Sequence, residues 1–170
     1  MGIDTFKDLP KGTLLGMLED FAKNWLAHDG LWFQEVEKQS NMDIAIELDT
    51  NAWRRFSAIE AKRIMQRHHI PENGGLEALK EALKYRLYSA LNEQAIVEEG
   101  DNWFMFAMID CRVQSARRRK NMPLFPCKSV GKVEYEVFSS TIDPRIKCEV
   151  IAAPPDEKER DYYCGWKFSI

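Results

Sequence analysis

The chain has 170 residues, 45% hydrophobic and 30% charged, which suits one globular domain and excludes disordered, collagen-like and low-complexity classes. Its formal charge of −3 argues against a nucleic-acid-binding module, which needs a basic face to neutralise phosphates. The sign is uneven: residues 1–50 carry four Lys/Arg against ten Asp/Glu and residues 101–170 carry twelve against ten, so an anion site is expected in the last third.

The N-terminus, MGIDTFKDLPKG, lacks the apolar run of a signal peptide, and no apolar stretch approaches a membrane span. Phe6 stands where a myristoylation motif needs Ser or Thr. A cytoplasmic protein with no membrane partner is expected, so the four cysteines are read as thiols rather than disulfides.

Leu14, Leu18, Phe21, Trp25, His28, Trp32 and Val36 recur at steps of three and four, predicting a long first helix that ends near Ser40 and Asn41. Asp43 is the expected cap of a second helix running to His69, with Trp53, Phe56, Ile59 and Ile64 on its apolar face and a break near Thr50 and Asn51. Pro71, Asn73, Gly74 and Gly75 stop it. A third helix over residues 76–94 follows from the spacing of Leu76, Leu79, Leu83, Leu87 and Leu91.

The period then changes. AIVEE, a turn at Gly100, Asp101 and Asn102, and WFMFAMID predict an antiparallel hairpin. Asp110 is the expected cap of a basic helix, CRVQSARRRK. Pro123 and Pro126 bracket a loop, KSVGKVEYEVFSSTI predicts another helix, and Asp143 with Pro144 ends it. Two strands, IKCEVIAA and DYYCGWKFSI, are joined by PPDEKER. The order αααββααββ predicts a single α+β domain over residues 1–170: a helical part, 11–94, packed on a four-stranded antiparallel sheet formed within a ββααββ part, 95–170.

Cys111, Cys127, Cys148 and Cys164 all fall in the last 60 residues without a CxxC pair. Four thiolates suit zinc or iron, although structural zinc sites usually draw two ligands from one tight turn. A hairpin centred on Asp156 makes Cys148 and Cys164 cross-strand neighbours, with Val150, Trp166 and Phe168 on their face. Cys111 and Cys127 sit at predicted helix N-termini, where the dipole favours a thiolate, so either is a candidate nucleophile with His28 as base. Glu60 and His28 are expected to point inward. Arg117 and Arg118, within the run Arg117 to Lys120, are candidate holders of a carboxylate or phosphate, and Trp166 a candidate ligand contact. The surplus of Trp and Phe suits a homodimer face. No GxGxxG, P-loop, GxSxG, HExxH or ExxH pattern occurs.

The segments CRVQ-x-AR, FPCK-x-VG, IDPRIK, PPD and YYC-x-W-x-F, with NWLAHDGLWFQEVE in the first helix, resemble a family of small bacterial and archaeal cytosolic proteins with no assigned function. Some members carry a further cysteine where this chain has Ala152. The helical start, the ββααββ order and the Cys-x-aromatic-x-Phe strand are more distantly similar to the vinyl-reductase-type and TRAPP-like ligand-binding fold, and the late cysteine resembles one in aminothiazoline-carboxylate hydrolases. The leading expectation is a cytosolic small-molecule- or metal-binding domain with a cysteine-bearing pocket between sheet and helices. The alternatives are a thiol-dependent hydrolase of a small amide or thiazoline-like substrate and a homodimeric interaction module.

Overall fold

The computed structural model describes residues 2–156 and 160–170, so the middle of the PPDEKER connection lies outside the described residues. Helix α1 spans Lys11–Gln39, α2 Met42–His68 and α3 Gly75–Leu83; strands β1, Glu93–Gly100, and β2, Trp103–Asp110, follow. Helices α4, Arg112–Arg119, and α5, Lys128–Ile142, precede strands β3, Lys147–Ala152, and β4, Cys164–Ser169. The expected α+β class, four-stranded antiparallel sheet and overall element order are therefore present, with strand order β1-β2-β4-β3.

The sheet owes its two-sidedness to strand alternation. Phe104, Phe106 and Met108 of β2 point to one face together with Cys164, Trp166 and Phe168 of β4, and there they meet Tyr135, Phe138 and Ile142 of α5. Leu79 and Leu83 of α3 and Ala61 and Ile64 of α2 complete this core. Helix α5 lies on the sheet closely enough that Gly131 is required: a Cβ there would stand 2.7 Å from the Trp166 ring.

Several local expectations are corrected. Asn41, not Asp43, caps α2: its Oδ1 accepts from the Ile44 N–H at 3.0 Å, because an N-cap oxygen must reach the first free amides of the helix. No break occurs at Thr50, whose hydroxyl donates to the Ile46 carbonyl within an unbroken helix. The third helix stops at Leu83 instead of continuing to 94, and a short 3-10 turn, Leu87–Ala90, replaces its second half. The cause is Arg86, which turns extended and buries its guanidinium against Glu60, while the Leu87 N–H donates to the same carboxylate. Interior charge pairing overrides the leucine spacing there. Asp110 closes β2 and accepts from the Ser115 hydroxyl, leaving Cys111 at the N-cap of α4.

The hairpin of β3 and β4 has a different register from the one centred on Asp156. Cys148 pairs with Phe168, and Cys164 pairs with Met108 across β2. Strand β4 begins only at Cys164, so Cys148 meets Phe168, four residues beyond Cys164, and this even shift costs the thiols their pairing while keeping them on the same face as Val150, Trp166 and Phe168.

Helix α1 is the outermost element. It has no fully buried residue, and Leu18, Phe21 and Trp32 are 59–65% exposed, so the apolar stripe read as a core face is only partly used. Trp25 is its main anchor, set among Trp53, Phe56 and Tyr88 with ring centroids 5.9–6.3 Å away. Phe33 adds an edge contact with Phe125 at 4.9 Å. No described helix is long and apolar enough to cross a membrane.

Candidate functional site

Because α1 is held at Trp25 and Phe33 rather than by a continuous seam, a cavity of about 440 Å³ remains between it, α2, α4, α5 and the sheet. That size falls within the range of about 300–1,000 Å³ typical of small-molecule sites. Phe33, Trp53, Tyr88, Phe125, Tyr135 and Trp166 supply aromatic wall, and Met108, Val113 and Val130 add aliphatic surface.

Three cysteines reach this space. Cys111 and Cys127 do stand at the N-termini of α4 and α5, and Cys164 comes from β4. Gln114, almost wholly buried, fixes the approach to α5: its Nε2 donates to the Phe125 carbonyl and its Oε1 accepts from the Phe125 N–H, both at 2.9 Å, with Cys127 Sγ 3.6 Å from Nε2. The Trp166 indole N–H donates to Cys164 Sγ at 3.3 Å.

Burial works against the expected thiolate character. Burial pushes the Cys127 thiol up to about 12 and raises Cys111, although the Gln114 and Val113 amides at the start of α4 pull Cys111 the other way. Cys164 is also raised by burial, well above the ordinary thiol range. A helix N-terminus lowers a thiol only when the charge stays near water or a cation, and here desolvation wins. His28 is exposed and outside the cavity lining, so the Cys–His arrangement of a thiol nucleophile is not assembled.

Cys148 lies apart, in a surface groove lined by Ile46, Lys132, Glu136 and Val150, and burial lifts it to about 12. The four cysteines are thus not brought together. Among the described residues no group of three or more His, Cys, Asp or Glu side chains is arranged to hold a metal.

The predicted ligand contacts divide. Trp166 and Arg117 line the cavity, but Arg117 is buried and occupied, with its Nε donating to the Pro123 carbonyl at 2.6 Å and Nη1 3.5 Å from Glu37. Arg118 is exposed and rests over the Tyr163 ring. Glu60 does point inward, as expected, yet it is structural: both its oxygens are taken by Arg86 and the Leu87 amide. Arg86 Nη1 also lies 2.7 Å from Glu134 Oε1, off the hydrogen-bonding line, so this contact acts as an ion pair.

The carboxylates of the cavity were not legible as a site. Asp29 of α1, Asp49 of α2 and Glu134 of α5 all line it. Burial raises Asp29, and burial lifts Asp49 to about 7 with help from the charges of Asp29 and Glu134. Burial also raises Glu134, against the pull of Arg86. A signal existed: Asp29 is four residues after Trp25 and Asp49 four residues before Trp53, which puts each acid on the helix face of an inward-facing indole.

The fold and the cavity together define an α+β domain in which a helical cover closes over one face of an antiparallel sheet. Over residues 7–170 the chain matches the family of unknown function DUF6125 and belongs to it. No curated protein matches it in sequence.

Proposed function

We propose that this chain is a small-molecule-binding domain whose ligand occupies the cavity beneath α1. The observation that carries this reading is the cavity itself: about 440 Å³, walled by six aromatic rings and crossed by a few fixed polar groups. Ligand sites combine an apolar body with a small number of placed polar contacts in this way. The thiols serve as soft, polarisable wall, since each is held in its neutral form.

Native mass spectrometry of protein purified under mild conditions tests the reading, because a retained organic molecule adds mass that denaturation removes. Ala116→Trp, on the α4 wall, fills the space and should weaken binding of the retained molecule about ten-fold or more, as lost cavity contacts require. Unchanged binding in that variant would place the ligand elsewhere and refute the assignment.

A further inference from the structure

The interior around the cavity holds more negative than positive charge. Arg86 is buried and is shared by two carboxylates, Glu60 and Glu134. Glu134, only 7% exposed, lines the cavity, and its Oε1 is buried with no hydrogen-bond partner among the described residues, facing Arg86 only as an ion pair. Asp29 and Asp49, both half-buried, add two more carboxylates on the opposite walls. The cations on the lining are paired elsewhere or exposed. Lys23 is tied to Glu19 at 2.7 Å and Arg117 to Glu37, while Arg112, Arg119 and Lys120 are exposed to solvent.

An anionic occupant, or a neutral one without a hydrogen-bond donor, would dehydrate these carboxylates with nothing in return, which is costly in a water-poor site. A cationic group reverses that sign. The aromatic wall favours it as well: Phe33, Phe125, Tyr135 and Trp166 line the same cavity, and electron-rich ring faces attract ammonium groups.

Resting on the ligand-binding reading of the cavity, we propose that its occupant is an organic cation. A protonated or quaternary amine sits among Asp29, Asp49 and Glu134, and its apolar body lies against the rings nearer the sheet. On binding, the ammonium charge makes full ionisation of Asp49 favourable, so uptake releases protons near neutrality.

Calorimetric titration with 4-phenylbutylammonium, 4-phenylbutanol and 4-phenylbutanoate, at low salt and about pH 8, separates charge from shape. The ammonium should bind about ten-fold tighter than the alcohol, and the butanoate more weakly than either. Asp49→Asn and Asp29→Asn should each weaken the ammonium about ten-fold and leave the alcohol unchanged. Alcohol or butanoate binding as tightly as the ammonium would overturn the cation assignment while the cavity reading stands. Binding of none of the three would overturn both. Should either variant fail to fold, the ranking of the three probes on the unaltered protein decides.

Discussion

Replacing Asp49 by Asn removes a carboxyl group that folding keeps partly protonated, and the benefit should depend on pH in a defined direction. Burial lifts this acid from 3.8 to about 7, reinforced by Asp29 and Glu134. An acid whose pKa is higher in the folded state holds more protons there than in the unfolded chain, so stability falls as pH rises between the two values. Asp49→Asn and the unaltered protein should therefore have similar stability below about pH 4, diverge above it, and reach a constant difference beyond about pH 8. Three units at about 1.4 kcal/mol each set an upper limit of about 4 kcal/mol. Water on the cavity side screens the charge, which brings the expected gain to about 2 kcal/mol in favour of the variant. Urea unfolding followed by tryptophan fluorescence across that pH range measures it directly. A difference that stays flat with pH, or an Asn variant that loses ground as pH rises, would refute this account of the cavity electrostatics.

Gly131→Ala should destabilise by about 1–2 kcal/mol, because the strain of a Cβ 2.7 Å from the fully buried Trp166 ring exceeds the helix-propensity gain of about 1 kcal/mol. Any relief through tilting of Trp166 shrinks the cavity, so ligand affinity should fall in the same variant, and a net stabilisation in urea would show the ring is not fixed against α5. All four thiols should resist iodoacetamide in the folded protein at about pH 8 and react readily in urea; rapid native labelling of Cys111 or Cys127 would contradict their burial-raised thiols.

What the sequence reveals and hides follows from how local each determinant is. The alternation of Phe104, Phe106 and Met108 and the turn at Asp101 and Asn102 are encoded in neighbouring residues, and the β1–β2 hairpin forms as they predict. The leucine spacing through Leu87 and Leu91 is equally local, but Arg86 answers to Glu60 and Glu134, which no window around residue 86 contains. The register of β3 and β4 likewise depends on where β4 begins, at Cys164, rather than on symmetry about Asp156. The same contrast divides the cavity. Trp166 and the N-terminal places of Cys111 and Cys127 are readable from pattern, whereas for Asp29 and Asp49 the sequence offers only their spacing from Trp25 and Trp53, and their shared cavity emerges when α1 and α2 are laid together.

Helix α1 closes the cavity while burying none of its own residues fully, and this separates two free energies that most domains combine. The core of α2, α3, α5 and the sheet contains no α1 residue, so its cohesion does not depend on that helix. The seat of α1 is then set by few contacts, chiefly at Trp25 and Phe33, together with whatever fills the space beneath Ala27 and Gly30. Occupancy and helix posture become two ends of one thermodynamic linkage, each strengthening the other by the same factor. On the proposed ligand-binding reading, Leu18, Phe21 and Trp32 ride on the helix that covers the occupant, so filling the interior space would be reported on the outer apolar surface of the molecule.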